Sequence, residues 1–114
     1  MSKATTTRIW VSALLLAALL YSLSAEADCV LPAPPSHIPD GSSASPQEML
    51  AAVRTFKQYN DDVDEYTKCL DFQRRRNLIT VDMLETSRSS ALNTLATIVG
   101  RFNEQVRRFK ARTT

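Results

Sequence analysis

The stretch SPQEMLAAVRTFKQYNDDVDEYTKCL (residues 45–70) decides the fold, because it both starts a helix and gives that helix one apolar side. Ser45 can cap the helix, Pro46 suits its first position, and Glu48 completes a Ser-x-x-Glu capping box. Apolar side chains then alternate spacings of three and four residues: Met49, Ala52, Phe56, Tyr59, Val63, Tyr66 and Leu70. This heptad pattern predicts a long helix over about residues 45–76 with one apolar seam.

The chain after residue 76 carries the signals of a turn followed by a second helix. Asn77 is a residue type that favours a helix end, so the turn is predicted at about residues 77–81. Either Thr80 or Asp82 can cap a second helix over about residues 82–111, which contains no proline. Its apolar residues again alternate spacings of three and four: Leu92, Leu95, Val99, Phe102, Val106 and Phe109. The second helix therefore has a seam of its own.

The two seams fit one antiparallel register. If the chain reverses near Ile79, the numbers of facing residues sum to about 158, which sets Phe56 opposite Phe102 and Tyr66 opposite Leu92. Six apolar layers result from this register, whereas a turn elsewhere would misalign all of them. The sequence therefore predicts an all-α fold over residues 45–114, an antiparallel two-helix hairpin with coiled-coil-like packing.

A proline-rich arm precedes the hairpin. Residues 28–44 contain four prolines and an Asp-Gly turn pair, so they are predicted to be extended rather than helical. Three apolar residues lie beside the apolar seam of the second helix and require a cover: Leu84, Ala91 and Ile98. We expect the arm to run back from the turn along this flank, with Val30, Leu31 and Ile38 against it. The alternative cover is a second copy of the chain in a four-helix assembly.

Two cysteines are expected to tie the arm to the hairpin. Cys29 lies at the start of the arm, and Cys69 lies near the end of the first helix. A disulfide between them is expected in an exported protein, and it is the one pairing available within a monomer. The alternatives are a bridge between two chains or a pair of free thiols.

Residues 1–27 have the features of a cleaved signal peptide. A basic start precedes an apolar run over residues 9–23, and small residues at positions 25 and 27 fit cleavage between Ala27 and Asp28. The run is shorter than the ~20 apolar residues that a spanning helix needs. An uncleaved membrane anchor is the alternative. We therefore expect a periplasmic or secreted protein.

The charge balance argues against a nucleic-acid partner. Removal of residues 1–27 takes away two basic side chains and one acidic side chain, so the net charge falls from +2 to +1. A nucleic-acid binder is expected to be strongly basic, with aromatic residues among its cations. Basic residues do gather near the two helix ends: Arg74, Arg75 and Arg76, then Arg101, Arg107, Arg108, Lys110 and Arg112. Because the net charge is low, membrane contact through these ends is expected to be weak and salt-sensitive.

No catalytic, cofactor-binding or metal-binding residues are predicted, and we expect no enzyme activity. His37 is the single histidine, so neither a His-paired nucleophile nor a multi-histidine metal site can be built around it. Four carboxylates crowd about one turn of the first helix: Asp61, Asp62, Asp64 and Glu65. Oxygen ligands along a helix without a wrapping loop favour a solvated acidic face, and cation binding is the alternative.

Several short motifs stand together in this chain: a cysteine after the predicted signal peptide (Cys29), PSHIPDG (35–41), SPQEM (45–49), YTKCL (66–70) and RFN (101–103). With these motifs the sequence resembles a loose family of small uncharacterised secreted or periplasmic proteins of Gram-negative bacteria. The resemblance covers most of residues 28–114 and implies a helical hairpin. It implies neither an activity nor any site residues.

These features favour a non-enzymatic exported protein with a structural or protein-interaction role, whose partner is another envelope protein or a second copy of itself. One alternative is a holdase-like chaperone, whose arm lifts to expose the apolar flank of the second helix. Another is a weak binder of a metal ion or small molecule through the acidic cluster.

Overall fold

The computed structural model describes residues 28–114. The predicted signal peptide, with Ala27 at its predicted end, lies outside these residues. Two helices, α1 (Pro46–Arg75) and α2 (Val81–Thr113), pack against each other, and the described residues contain no strand. The all-α two-helix hairpin predicted from the two seams is confirmed. Each helix begins within one residue of its expected start, and α2 continues two residues further than expected.

The start of α1 is fixed by the capping box that the sequence predicts. The Ser45 hydroxyl accepts a hydrogen bond from the Glu48 amide at 3.1 Å, and the Glu48 carboxylate accepts one from the Ser45 amide at 2.6 Å. These bonds satisfy two backbone donors that a helix start otherwise leaves free. The bond from the Ser45 amide, followed by the Ser45 hydroxyl, also lowers the pKa of Glu48, because both favour its charged form.

The turn is a Schellman motif with asparagine in the left-handed position. Asn77 has a φ of 56°, and its amide donates to the Arg74 carbonyl at 3.0 Å. The Leu78 amide donates to the Gln73 carbonyl at 2.9 Å, which completes the pair of bonds that defines this motif. Thr80 then caps α2 by accepting from the Met83 amide at 3.1 Å. Of the two caps that the sequence allows, the structure therefore uses Thr80.

The core lies between the helices in two clusters. The larger cluster is centred on Phe56 and Phe102, whose rings stack with centroids 4.5 Å apart and an interplanar angle of 7°. Its buried members come from both helices and the end of the arm: Ala44, Met49, Ala52, Phe56 and Phe102. The smaller cluster, nearer the turn, contains Tyr59, Val63 and Ala91. The pairing of Phe56 with Phe102, on which the predicted register depends, is confirmed.

The prediction that Leu92 is the core residue opposite Tyr66 is wrong, although the register itself holds as far as the ion pair of Arg88 with Asp71. Ala91 is buried at this level, whereas Leu92 is 44% exposed. The reason is the period of an α-helix: three turns take about 11 residues, which is the step from Phe102 back to Ala91. A strict heptad pattern stays on one side of a helix only if the two helices supercoil around each other. Toward the turn, α2 keeps its ordinary helical period, so Ala91 rather than Leu92 faces α1.

The proline-rich arm is a third packed element. The predicted disulfide between Cys29 and Cys69 is formed, and it holds the start of the arm against the end of α1. From there the arm follows α1 toward its beginning, so that Pro35 shares a groove with Thr55. At its far end Ile38 packs against the larger core cluster. The arm therefore spans most of α1 in the direction opposite to that helix.

The arm lies on the flank of α2, as expected, at its far end only. Val30 is 82% exposed and Leu31 is 60% exposed, so of the three apolar residues expected to cover that flank, Ile38 alone packs on the core. Ala91 is buried against α1 instead. Because both ends of the arm are fixed on α1, an extended chain takes the direct path along that helix. Lifting the arm would not expose Ala91, as the holdase-like alternative requires.

Side chains near the end of α2 bind the far end of the arm. The Gly41 amide donates to Gln105 Oε1 at 2.9 Å. Arg112 donates to the Gly41 carbonyl at 3.3 Å and to the Ala44 carbonyl at 2.5 Å, while its guanidinium lies 5.3 Å from the centre of the Phe109 ring. We call these contacts the arm latch. The disulfide thus fixes one end of the arm to α1, and the other end, which continues into α1, is also hydrogen-bonded to α2.

Candidate interaction surface at the turn of the hairpin

Exposed large apolar side chains cluster at the end of the hairpin that holds the turn. Nine are exposed among residues 28–114, and four of these lie at or beside the turn: Phe72, Leu78, Val81 and Met83. Their exposed fractions range from 47% to 58%. We define the turn-end surface as these four side chains together with Arg74, Arg75 and Arg76. A patch of this composition marks an interaction site more often than a scattered apolar residue does.

The backbone holds this surface in one conformation. The Schellman bonds fix the residues before Leu78, and the Thr80 cap fixes those after it. Ile79, between them, is half-buried and anchors the turn. Leu78 is therefore an exposed apolar side chain on a hydrogen-bonded loop. A partner that binds it would lose little free energy in ordering the loop.

Three arginines at the end of α1 complete the surface. Arg76 lies over the Phe72 ring, with its guanidinium carbon 5.6 Å from the ring centre. Arg74 Nη1 donates to Asn77 Oδ1 at 3.1 Å, which supports the turn. Cations are favoured at a helix C-terminus by its dipole, so part of this pattern stabilises α1. Arginine and aromatic side chains are also the residues that most often dominate binding energies at protein interfaces.

An open groove of about 370 Å³ runs across the turn-end surface. It is lined by apolar and polar residues of the turn and of the helix ends beside it: Arg74, Asn77, Leu78, Ile79, Thr80, Val81 and Met83. A groove of this kind accepts one or two apolar side chains of a partner and offers a guanidinium beside them. Burial of a single leucine side chain contributes about 1.5–3 kcal/mol.

The disulfide brings two further exposed apolar residues toward the same end of the hairpin. Cys69 lies one helical turn before Phe72, and Val30 and Leu31 directly follow its partner Cys29. Their exposure contradicts the prediction for the arm, and with Leu92 it places seven of the nine exposed large apolar side chains in this half of the molecule. Sequence reasoning identified the arginines of this surface but missed its apolar members, because Leu78, Val81 and Met83 lie outside both seams.

The acidic cluster of α1 is dispersed over the helix surface. Asp64 forms an ion pair with Lys68 at 2.7 Å, and Asp62 accepts a hydrogen bond from Gln58 at 2.8 Å. Among residues 28–114, no three His, Cys, Asp or Glu side chains lie close enough together to hold a metal ion. His37 is exposed and lines a groove between the arm and α1 that also contains Glu48.

Three of the five basic residues near the end of α2 form contacts within the described residues. Arg107 and Arg108 both pair with Glu104, and the hydrogen bond from Arg107 is the main reason that the pKa of Glu104 is lowered. Arg112 belongs to the arm latch. The sequence correctly places basic residues near the end of α2, but it gives no sign that Arg112 binds the arm. Gln105 was missed altogether, because a single long-range hydrogen bond leaves no periodic signal.

Neither described helix combines the length and the apolar character that a bilayer-spanning segment requires, within residues 28–114. Comparisons with protein-family models, with curated proteins and with solved structures find no match to this chain.

Proposed function

We propose that this is an exported, non-enzymatic protein that acts in the periplasm or outside the cell by binding another protein through its turn-end surface. The observation that carries the proposal is the set of exposed apolar side chains at the turn, held on a fixed backbone beside three arginines. Exposure of large apolar side chains in a small domain is costly for solubility, so a rigid cluster of them favours a binding role.

Several features support export. The disulfide between Cys29 and Cys69 is the type of bond that forms and persists in oxidising compartments. The sequence before residue 28 has the charge and apolar pattern of a signal peptide. The resemblance to secreted and periplasmic proteins of Gram-negative bacteria agrees with this location.

The partner that fits the turn-end surface is a protein with an apolar side chain and a nearby carboxylate. The apolar side chain would fill the groove beside Leu78, and the carboxylate would pair with Arg74, which lines the same groove. Bidentate pairing of a guanidinium with a carboxylate adds specificity to the apolar contact. Docking would use preformed geometry, since the turn is already hydrogen-bonded.

The proposal is tested by two leucine variants that differ in position but are matched in exposure. Leu78 and Leu50 are each 58% exposed, and Leu50 lies at the opposite end of the hairpin. We expect Leu78→Asp to weaken capture of an envelope partner by at least about tenfold, because it places a charge in the apolar groove. Leu50→Asp is expected to bind as the wild type does. The measurement is quantitative capture from envelope extract, followed by titration of the identified partner.

Two outcomes would contradict the proposal. Equal binding by Leu78→Asp and the wild type would remove the turn-end surface from recognition. Binding of the purified protein to anionic vesicles, lost in Leu78→Asp and without any protein partner, would assign the surface to lipid. Circular dichroism of both variants serves as the control for folding.

A further inference from the structure

The middle of α2 lacks charge on every side of the helix. Residues 89–100 contain no Asp, Glu, Lys or Arg, although 23% of the whole chain is charged. A helix of a two-helix hairpin has a solvent face, and such a face normally carries charges. The cores of protein interfaces, by contrast, are depleted of charged residues. The uncharged stretch therefore indicates a surface that another chain covers.

A second heptad series runs along α2 beside its contact with α1. We call it the second seam, and its members alternate spacings of four and three: Glu85, Ser89, Leu92, Ala96, Val99, Asn103, Val106 and Lys110. Leu92 and Ala96 are exposed, whereas Val99 and Val106 pack against the larger core cluster and are partly exposed. The seam contains apolar and small residues at its centre. Small side chains let two helices approach to about 8–10 Å.

The second seam carries one charge at each end, and the two charges have opposite sign. Glu85 lies at the beginning and Lys110 at the end, and within the described residues neither forms an ion pair. If two copies of α2 pack antiparallel with facing numbers that sum to 195, Glu85 of each copy meets Lys110 of the other. The same register sets Ala96 against Val99 at the centre. The seam is therefore complementary to itself.

We infer that a second copy of this chain packs on the second seam, with the two α2 helices antiparallel and the two hairpins forming a four-helix assembly. The contact runs from residue 85 to residue 110, about 38 Å at 1.5 Å per residue. The arm does not obstruct it, because Gln105, which binds the arm, lies about 150° around the helix from the centre of the seam. Parallel pairing would bring like charges together at both ends.

This inference goes beyond the proposed function and uses a different surface, since none of the turn-end side chains belongs to the second seam. Failure of partner binding in Leu78→Asp and failure of self-association are therefore separate results. A dimer on the second seam leaves both turn ends free, and antiparallel helices direct them to opposite ends of the assembly. Each dimer would then present two docking surfaces.

The experiment compares Ala96→Arg with its neighbour Thr97→Arg. Both residues are exposed, and both variants add the same charge, but Thr97 lies outside the second seam. Each protein is expressed from its full sequence and purified in the form that the cell produces. Its mass in solution is measured by sedimentation and light scattering at about 10–100 μM, because a weak specific dimer is populated in this concentration range. We expect a dimer for the wild type and for Thr97→Arg, and a monomer with unchanged helical content for Ala96→Arg.

A charge reversal tests the antiparallel register independently. Lys110→Glu is expected to weaken the dimer, because it places two carboxylates at each end of the seam. Adding Glu85→Lys to that variant is expected to restore it, because the pair is then reversed rather than lost. The inference would be overturned if the wild type is a monomer, or if Ala96→Arg still forms the dimer. It would also be overturned if Thr97→Arg dissociates the dimer as strongly as Ala96→Arg does, or if the double variant dimerises no better than Lys110→Glu.

Discussion

Replacing Gly41 with alanine is expected to lower the free energy of unfolding by about 3 kcal/mol, at the upper end of what overpacking costs. A Cβ at this position would lie 1.8 Å from the Gln105 carbonyl oxygen and 3.0 Å from the Phe109 amide nitrogen. Both atoms belong to the backbone of α2, so neither can move without distorting the helix. The arm must instead withdraw, which breaks the hydrogen bonds of the arm latch.

The second glycine of the chain provides the control for this prediction. A Cβ at Gly100 meets nothing within 4 Å, and the residue lies inside α2. Gly100→Ala is therefore expected to stabilise the protein by up to about 1 kcal/mol through helix propensity. Thermal denaturation should show a melting temperature about 12–24 °C lower for Gly41→Ala and slightly higher for Gly100→Ala. Equal melting temperatures for Gly41→Ala and the wild type would show that the arm does not pack at this point.

Removal of the disulfide is expected to have a comparable or larger effect. Cys29 and Cys69 are separated by 40 positions, and closing a loop of that size stabilises the folded state by about 4 kcal/mol in the chain-entropy model. The total stability of a small domain is typically about 5–15 kcal/mol, so this loss is a large share of it. The double variant Cys29→Ser, Cys69→Ser avoids a free thiol and should melt about 15–30 °C below the oxidised wild type.

Reduction of the wild type provides the matched comparison, because it removes the bridge without changing any side chain volume. The reduced protein should melt near the temperature of the double variant. Both should retain most of their helical signal at low temperature, since the contact between Phe56 and Phe102 does not involve the arm's first residues. An unchanged melting temperature after reduction would mean that the arm adds nothing to stability.

The parts of the fold that follow from periodicity and local chemistry could be predicted. Ser45 and Glu48 form the expected capping box, because both partners lie within four residues of each other. The stacking of Phe56 on Phe102 follows from the apolar seam of α1 and the facing apolar seam of α2, which share one register. The disulfide could be predicted because a chain with two cysteines has one intramolecular pairing.

The parts that depend on long-range geometry could not be predicted. Ala91 replaces Leu92 in the core because the helix keeps its natural period near the turn. Most of the arm follows α1, because the disulfide and the chain connection at Ser45 join both of its ends to that helix, whereas the sequence pattern favoured the flank of α2. The latch by Gln105 and Arg112 rests on polar contacts between residues more than 60 positions apart, and such contacts have no sequence signature.

The exposure of the apolar residues in the turn-end surface also could not be predicted from the sequence. In the sequence, nothing distinguishes three apolar residues from ordinary neighbours of a turn and a helix cap: Leu78, Val81 and Met83. Their exposure depends on how the Schellman turn orients the loop. Val30 and Leu31 are apolar residues in an arm that packs, yet they are exposed because they lie beyond the core and next to the disulfide. An apolar residue outside a seam is therefore ambiguous until the chain path is known.

The central claim is that the arm is a third packed element, held at one end by the disulfide and at the other by the latch. Amide hydrogen exchange of Gly41, followed by NMR, tests it most directly, because this amide donates to Gln105 Oε1 at a site far along the arm from the disulfide. In the oxidised wild type we predict exchange at least about tenfold slower than in an unfolded chain, with the protection lost in Gln105→Ala. Exchange at the unfolded-chain rate in the oxidised wild type would contradict the claim.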